Sequence, residues 1–372
     1  MQRVRLATSS TGSERLSIGR EVESSMKTGP RNLITDVAGI SIGHAHDGKL
    51  ASGVTVVLGE DAAVTAATIF GGGPGTREVD AIDLKGSVGA ADAIVLSGGS
   101  AFGLDAASGV QAFLREAGRG FSVGPVRVPI VPQAILFDLI NGGDKAWGRR
   151  SPYPEMAFEA AARAGKDFAL GSAGAGHGAA VSAGEGRRIR GGLGSVSEAV
   201  PGLASVDGAD VLVGALSAVN AVGSVTVADT PHFWAAPFEQ GTEFGGLGSP
   251  HPWPAHASRA AFKFVAPERA NTTLCVVATD AALTHQQCKR LATMAGAGMA
   301  RAIFPVFSSF DGDIVFAAAT GKTRLKDPQM ALPWIGAAAA NCLSRAIARG
   351  VYESSGYLPN GTPSYRNLFA SR

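Results

Sequence analysis

The chain predicts an α/β fold, and three features of the sequence indicate it. Short apolar runs rich in β-branched residues are interspersed with longer, alanine-rich segments of helical spacing, so strands and helices are mixed along the chain. The 50 glycines, about twice the average usage, cluster where predicted strands pass into loops. With 372 residues, 45% of them hydrophobic, the chain is long enough to bury a large core.

Five buried strands and four helices are predicted from the spacing of apolar residues. Continuous apolar runs indicate strands covered on both faces, and they occupy residues 54–58, 93–96, 211–219, 274–278 and 314–318. Small and apolar residues at helical spacing predict helices over residues 104–117, 153–164, 283–302 and 333–349. The last two are rich in alanine, which permits close packing against a sheet or another subunit.

Three further segments carry different signals. Residues 1–30 are rich in Arg, Ser and Thr and lack the apolar stretch of a secretory signal, so they predict a flexible N-terminal arm. Residues 351–372 are expected to form a C-terminal tail. Residues 231–267 are the candidate linker, because their prolines are too dense for a central strand or a helix interior. An exposed connection that ends just before residue 272 is where a chain can be cut without dismantling its core.

The composition of the chain indicates which binding partners and which cellular compartment to expect. The net charge is +2 and the basic residues are scattered, so neither nucleic acid nor a membrane surface is an expected partner. No apolar run reaches the roughly 18 residues of a membrane span. The three cysteines, Cys275, Cys288 and Cys342, lack C-x-x-C spacing, which argues against a disulfide scaffold or a zinc site and favours the reducing cytoplasm. The seven histidines show no metal-ligand spacing, and neither a metal nor an organic cofactor is expected.

The stretch from residue 271 to residue 280, NTTLCVVATD, is the most informative part of the chain. A polar Asn-Thr-Thr step stands directly before an apolar run that predicts a buried strand. Hydroxyl residues at such a place are often ordinary strand starters. The alternative is that the Asn271–Thr272 bond is cut, so that Thr272 becomes a new N-terminus. Its hydroxyl is then a nucleophile whose base is its own α-amine.

Three more polar residues flank predicted strands. Asp311 and Asp313 lie in an Asp-Gly-Asp step between two apolar runs, where Asp-Gly also suits a simple hairpin turn. Carboxylates at i and i+2 on a strand edge point the same way, and such a pair suits holding a protonated amine and orienting a hydroxyl. Asn220 follows the strand 211–219, and its amide is either a strand-end turn group or a donor to an oxyanion.

Two glycine-rich loops, residues 71–78 and 96–104, allow a backbone or a ligand to approach closely. The second contains Gly98, Gly99 and Ser100. It has no G-K-[ST] step, no G-x-G-x-x-G follows a strand, and its serine is not in a G-x-S-x-G elbow. Nucleotide binding and a serine nucleophile are therefore both poorly supported.

Taken together, eight segments resemble the DmpA-type peptidase family. That family contains L-aminopeptidase/D-esterases, β-peptidyl aminopeptidases and 6-aminohexanoate-oligomer (nylon oligomer) hydrolases. The resemblance spans about residues 31–350 in matching order. The segments are GGGPGTRE (71–78), IVLSGGSAFGLDAASGV (94–110), VPIVPQAILFDL (128–139), GAGHGAAV (174–181), RGGLGS (190–195), VNAVG (219–223), NTTLCVVATDAAL (271–283) and DGDIVFAAATG (311–321).

This resemblance implies a fold and a maturation step. The fold is a four-layer αββα sandwich like that of N-terminal-nucleophile hydrolases, with different connectivity. Residues 31–350 then form a single hydrolase domain. A precursor cuts itself into an α chain, residues 1–271, and a β chain, residues 272–372. Members commonly assemble as homo-oligomers, tetramers or larger, of the processed heterodimer.

Residue by residue, the resemblance implies that Thr272 is the nucleophile, that Asn220 lies near the oxyanion, and that Asp311 and Asp313 are the acidic pair. The Asn271–Thr272 junction is similar to that of the nylon-oligomer-hydrolase branch rather than to the Gly-Ser junction of the aminopeptidase type.

The chain also departs from the family pattern at two positions. A tyrosine of the site in several members is Phe137 here, so any hydroxyl donor comes from elsewhere. A lysine after the GAG motif is replaced by Ala183, which leaves Arg187, Arg188 or Arg190 as candidate cations. Phe137, together with Gly98, Gly99 and Ser100, is also a candidate for substrate binding.

The expected activity is hydrolysis of a small-molecule amide, either a peptide or an ω-amino-acid oligomer, through an acyl-threonine ester. Three alternatives stay open on the sequence. An aminopeptidase releases the N-terminal residue of a peptide and needs an acidic group for the substrate's free amine. An acyltransferase of the ornithine-acetyltransferase type also cleaves itself before threonine. An uncut small-molecule-binding protein accounts for the glycine loops without any catalysis.

Overall fold

The computed structural model describes residues 27–369 except 185, 204, 207 and 264–270. Within these residues the strands are Ile40–Asp47 (β1), Ser52–Ile69 (β2), Thr76–Arg77 (β3), Ala90–Ser97 (β4), Phe121–Val123 (β5), Val126–Val128 (β6), Gln133–Ile135 (β7), Ala180–Ser182 (β8), Arg188–Arg190 (β9), Gly192–Val200 (β10), Val211–Asn220 (β11), Thr272–Ala281 (β12) and Ile314–Thr323 (β13). The α-helices are Ala106–Glu116 (α1), Tyr153–Ala162 (α2), His285–Ala302 (α3), Pro328–Tyr352 (α4) and Tyr365–Phe369 (α5).

Strand β2 connects two halves of one hydrogen-bonded sheet. The strand order is β10-β11-β12-β13-β2-β4-β7-β3, with β1 also paired to β2. The first part of β2 pairs with β1 and β4, whereas its last six residues, 64–69, pair with β13. The register with β4 shifts between Leu58 and Ala63, at the point where β2 passes from one half to the other.

The two halves are stacked face to face, and a helical layer covers each outer face. The inner core contains residues from both halves, such as Val57 and Ile94 from one and Leu274 and Phe316 from the other. Helices α1 and α2 pack on the outer face of the half that contains β1, β2 and β4. Helices α3 and α4 cover the outer face of the half formed by β10–β13. The result is the predicted four-layer αββα arrangement.

Strand β12 illustrates how the sequence produces this layering. Leu274 and Val276 belong to the inner core, whereas Cys275 and Val277 belong to the core beneath α3 and α4. Because alternate strand residues point to opposite faces, both faces of β12 must be apolar. All ten residues of β12 are buried, which explains why the run reads as continuously hydrophobic rather than alternating.

All nine predicted elements are present, with different bounds. Strand β2 is 18 residues long, well beyond the predicted 54–58. Its extension begins with Gly, Glu, Asp and Ala, which have weak strand propensity, and pairing of residues 64–69 with β13 continues the strand beyond them. Helix α4 begins at Pro328 because Oδ1 of Asp327 accepts hydrogen bonds from the backbone N–H groups of Gln329 and Met330, both at 3.1 Å.

The segments outside the predicted domain are only partly described. Residues 1–26 of the expected N-terminal arm lie outside the described residues. At the other end α4 continues to Tyr352, and Tyr365 and Phe369 of α5 are buried in the core beneath α3 and α4. In the proline-rich segment, Phe233 is also buried and stacks on Tyr365 with ring centroids 4.8 Å apart. Part of that segment is therefore packed rather than exposed.

Among the described helices, none combines the length and the apolar character needed to cross a bilayer.

Candidate active site

Three neighbouring strands bring the predicted site residues to one end of the sheet. Strand β11 ends at Asn220, and β12 begins at Thr272, its direct partner in the antiparallel register. Strand β13 runs parallel to β12, and just before it Asn271 and Asp311 form an isolated parallel bridge. These four residues, which span about 90 positions in sequence, thus lie together at the ends of neighbouring strands. Each of them is no more than 3% exposed.

The peptide bond between Asn271 and Thr272 is held in a tight polar environment. The Thr272 hydroxyl donates to the Asn271 carbonyl oxygen, and the backbone N–H of Gly312 donates to the same oxygen at 3.0 Å. A Cβ on Gly312 would lie only 2.6 Å from Thr272 Oγ1 and 2.8 Å from the Gly73 carbonyl oxygen. Glycine at 312 therefore allows the N–H group to reach the carbonyl without displacing the hydroxyl.

The two carboxylates accept hydrogen bonds from groups that flank Thr272. Asp313 accepts from the backbone N–H of Thr273 at 2.8 Å and from that of Phe307 at 3.2 Å. Asp311 accepts from the backbone N–H of Val222 at 3.2 Å and from the Ser308 hydroxyl at 3.1 Å. The predicted simple hairpin at Asp-Gly-Asp is absent from this described segment, since residues 303–313 form no strand that pairs with β13.

Burial changes the proton affinity of both carboxylates. It raises the pKa of Asp311 to about 6. Burial, with the neighbouring charge of Asp311, raises the pKa of Asp313 to about 7. The Lys263 ammonium and the hydrogen bonds to Asp311 oppose the rise at that residue. The pair therefore changes protonation close to neutral pH.

The Asn220 amide is fixed by hydrogen bonds on both sides. Its Oδ1 accepts from the backbone N–H of Ala180 and from Lys263 Nζ, both at 3.0 Å. Its Nδ2 donates to the Phe137 carbonyl oxygen at 3.0 Å. An amide has a second N–H on the same nitrogen, so Asn220 keeps one donor for another acceptor.

Lys263 was not predicted from the sequence. It lies in the proline-rich segment, eight positions before Asn271, without any motif around it. Its place in the site depends on how this segment folds back onto β8 and β11, which no local pattern encodes.

A pocket with an empty volume of about 440 Å³ opens beside the Asn271–Thr272 bond. Most of its lining residues are polar or charged, although apolar atoms form the larger part of its surface, and two of these residues, Arg188 and Lys263, are basic. The other lining residues are Phe137, Asp138, Ile140, Asn141, Gly178, Ala180, Asn220, Asn271, Leu358, Asn360 and Thr362.

The candidate substrate-binding residues divide into two groups. Phe137 lines the pocket, and its contact with a substrate stays a prediction. Gly98, Gly99 and Ser100 are absent from its lining. Their loop lies behind Asp138, whose carboxylate accepts a hydrogen bond from the backbone N–H of Gly99 at 2.8 Å. The loop thus supports the pocket wall, and any direct contact with a substrate stays a prediction.

The substituted position Ala183 is fully buried. Of the three arginines considered as replacement cations, Arg188 lines the pocket, and its Nε donates to the Lys263 carbonyl oxygen at 2.6 Å. Arg187 forms an ion pair with Asp229 at 3.6 Å, and Arg190 donates to the His177 carbonyl oxygen at 2.7 Å. Neither is among the residues that line the pocket.

The first glycine-rich loop supports the acidic segment. The backbone N–H of Phe70 donates to the Asp313 carbonyl oxygen, and that of Gly73 to the Asp311 carbonyl oxygen, both at 2.8 Å. A Cβ on Gly71 would lie 2.2 Å from the Asp311 carbonyl oxygen, whereas a Cβ on Gly73 has no neighbour nearer than 3.6 Å. Gly71 therefore permits the close approach that holds both aspartates in place.

Comparison with known proteins agrees with the fold. The family model described as peptidase family S58 matches residues 32–358. The chain belongs to peptidase family S58. A protein of Mycobacterium tuberculosis described as an uncharacterized aminopeptidase is 40% identical to this S58 chain over 362 residues, which cover 91% of the chain and 98% of the relative.

A more distant relative and a solved structure are consistent with this assignment. A 6-aminohexanoate-oligomer endohydrolase of an Agromyces species is 29% identical over 317 residues, which cover 80% of this chain and 78% of that protein. The structure of an L-aminopeptidase D-Ala-esterase/amidase from Ochrobactrum anthropi, described as a variant of the Ntn hydrolase fold, superposes with a TM-score of 0.65 at 18% identity. It covers 94% of this chain and 95% of that one.

The resemblance to the DmpA-type family and the predicted fold class are thus confirmed. The S58 chain is a hydrolase of peptide or amide bonds. This excludes a ligand-binding protein without activity and disfavours an acyltransferase.

We predict that Gly71→Ala lowers the thermal midpoint and the hydrolytic rate together. The added methyl group overlaps the backbone of the acidic loop, and overpacking of this kind costs about 1–3 kcal/mol. Gly73→Ala is the matched control, because its Cβ meets nothing closer than 3.6 Å. Thermal melts and initial rates of both variants test this; equal effects of the two substitutions would contradict it.

Proposed function

We propose that this S58-family hydrolase cuts its own Asn271–Thr272 bond and then uses Thr272 as an N-terminal nucleophile on amide substrates. The observation that carries the proposal is the contact of the Thr272 hydroxyl with the carbonyl group of its own preceding peptide bond. The proposal includes the predicted division into an α chain, residues 1–271, and a β chain, residues 272–372.

Self-cleavage begins when Thr272 Oγ1 attacks the Asn271 carbonyl carbon. The Gly312 N–H, 3.0 Å from the carbonyl oxygen, stabilises the negative charge that develops there. The C–N bond breaks as the Thr272 nitrogen takes up the proton that the hydroxyl has lost, which leaves an ester between Asn271 and the threonine oxygen. Water hydrolyses this ester and yields the Asn271 carboxylate and the Thr272 α-amine.

Substrate hydrolysis then repeats the chemistry with an external amide. The new α-amine has an unperturbed pKa of about 7.7–8.0, so a substantial neutral fraction accepts the Thr272 hydroxyl proton near pH 8. Asn220 donates its remaining N–H to the substrate oxyanion. Asp311 and Asp313 hold the amine and the hydroxyl in line. The leaving amine takes the proton, and water releases the acyl group from Thr272.

For the substrate we propose peptides or ω-amino-acid oligomers cut at an interior amide. The pocket carboxylate Asp138 supports this choice. It is buried and already accepts hydrogen bonds from Ser52 Oγ at 2.6 Å and from the Gly99 N–H at 2.8 Å. It is therefore poorly suited to binding a substrate ammonium group. An assembly of processed heterodimers, tetrameric or larger, and a cytoplasmic location belong to the same proposal.

Release of N-terminal residues is the second candidate function. It is favoured by the M. tuberculosis relative, which is described as an aminopeptidase and is 40% identical to this chain, against 29% for the oligomer endohydrolase.

We predict that Thr272→Ala stays a single chain and has no turnover, because the nucleophile and the future base are both lost. Thr272→Ser is expected to cut itself and retain activity. Gel electrophoresis of the purified variants and initial rates on an amide substrate provide the readout.

Thr279→Val is the matched control for this prediction. Thr279 is also a fully buried threonine of β12, and its hydroxyl oxygen accepts a hydrogen bond from the backbone N–H of Ala281 at 3.2 Å, away from the site. We expect this variant to be cut. A processed, active Thr272→Ala protein would rule out the proposed nucleophile.

A second prediction concerns pH. Since burial raises the pKa of Asp313 to about 7, its charged form is lost as pH falls through neutrality. The resulting fall in kcat/KM adds to the fall caused by protonation of the Thr272 amine. Asp311→Asn should be slower, because Asp311 helps to hold that amine. It also removes the neighbouring charge that raises the pKa of Asp313, so the acidic limb of its residual kcat/KM should move to lower pH.

Asp167→Asn serves as the control for the pH prediction, because its side chain is 86% exposed and forms no part of the site. Its profile of kcat/KM from pH 5 to pH 9 should match that of the wild type. An acidic limb that stays in place or moves upward in Asp311→Asn would contradict the assignment.

A third prediction separates the two candidate functions. The same oligomer is offered with a free and with an acetylated N-terminus. An interior hydrolase should accept both with similar kcat/KM. A site built to bind the free amine should discriminate against the blocked substrate by up to about 10⁴-fold, and such a ratio would establish the aminopeptidase instead.

A further inference from the structure

Lys263, which belongs to no sequence motif, contacts several groups of the candidate site. Its ammonium group donates to the Ala180 carbonyl oxygen at 2.6 Å, to the Asn220 carbonyl oxygen at 3.3 Å and to Asn220 Oδ1 at 3.0 Å. A lysine ammonium has three donors and no acceptor, and all three of these oxygens accept from it. The side chain is therefore anchored at the end of β11 rather than extended into solvent.

The contact with Oδ1 sets the orientation of the Asn220 amide. A positive donor on one side requires the oxygen of the amide to face Lys263, so Nδ2 must face the opposite side. On that side Nδ2 donates to the Phe137 carbonyl oxygen at 3.0 Å and borders the pocket. With the ammonium removed, the backbone N–H of Ala180 is the remaining donor described at Oδ1, and the amide is held less firmly.

The same ammonium acts on the acidic pair by its charge. Among the described residues, the charged or polar groups that act on Asp311 are Asp313, the Ser308 hydroxyl, the Val222 N–H and Lys263. Asp313 disfavours a second negative charge beside it, whereas Lys263 favours the charged form of Asp311. In a buried site such an interaction is screened far less than at the surface.

We propose that Lys263 is a positioning residue of this hydrolase, which aims the Asn220 amide at the substrate carbonyl and keeps Asp311 ionised. The inference rests on the proposed function, since it assigns Lys263 to the site centred on Thr272. Lys263 precedes the Asn271–Thr272 bond, so it stays covalently attached to the α chain after the cut. The α chain then contributes Lys263 to the mature site.

The test compares Lys263→Met, which keeps most of the stem and removes the charge, with Lys263→Arg, which keeps the charge. For Lys263→Met we expect kcat to fall about 10-fold to 100-fold, less than the roughly 100-fold to 1000-fold typical when an oxyanion donor itself is removed. KM should change little. The acidic limb of kcat/KM should move to higher pH, because the neighbouring carboxylates Asp311 and Asp313 together lose a positive charge that favours their ionised forms. Lys263→Arg should return the limb toward its wild-type position.

Lys166→Met is the matched control. Lys166 also donates to a backbone carbonyl, that of Ile40 at 2.6 Å, but it lies outside the site. Its pH profile and kcat should equal those of the wild type. Thermal midpoints of all variants separate loss of folding from loss of function.

Two results would overturn the proposal. In one, Lys263→Met keeps the wild-type kcat and pH profile. In the other, kcat falls while the acidic limb stays in place and Lys263→Arg rescues neither, which indicates a merely structural role. Failure of the proposed function itself gives a different result, namely an uncut wild-type chain or an active Thr272→Ala protein.

Discussion

The register of strands β11, β12 and β13 is the constraint on which the whole site depends. It sets Asn220 opposite Thr272 and brings Asp311 beside Asn271. Side chains alternate between the two faces of a sheet, so a slip of one residue reverses every one of them. The apolar residues on both faces of β12 make any such slip expensive, because it would exchange the inner core with the core beneath α3 and α4.

This rigidity allows the protein to bury charged groups where a hydrolase needs them. Asp311 and Asp313 are each only 1% exposed, and an isolated buried charge is costly. Backbone N–H groups from Val222, Thr273 and Phe307 offset that cost. These hydrogen bonds do not fully offset the cost of burying the charges, so the pKa values of both carboxylates are raised. The packing that stabilises the sheet therefore also sets the acidity of the site.

The four main site residues could be identified from the sequence because each adjoins a strong apolar run. Asn220 follows β11, Thr272 opens β12, and Asp311 and Asp313 precede β13. Their roles in catalysis remain proposals, but their common location follows from strand ends meeting at one edge. The layer arrangement came from the family resemblance rather than from periodicity, which identifies strands without giving their order.

The contributions of Gly312, Gly71 and Lys263 could not be predicted from the sequence. Gly312 acts through its backbone N–H and through the absence of a side chain, and a glycine between two aspartates equally suits a plain turn. Gly71 matters because of a backbone brought close from residues about 240 positions away in sequence. Lys263 reaches the site through a segment of turns, where tertiary packing rather than local propensity decides the path.

The most direct test of the central claim is the intact mass of freshly purified wild-type protein, combined with N-terminal sequencing of every species. The account predicts two chains, one of which begins Thr272-Thr273-Leu274-Cys275. A single chain that stays uncut on prolonged incubation, yet hydrolyses an amide substrate, would contradict it, since Thr272 then has no free amine to act as base.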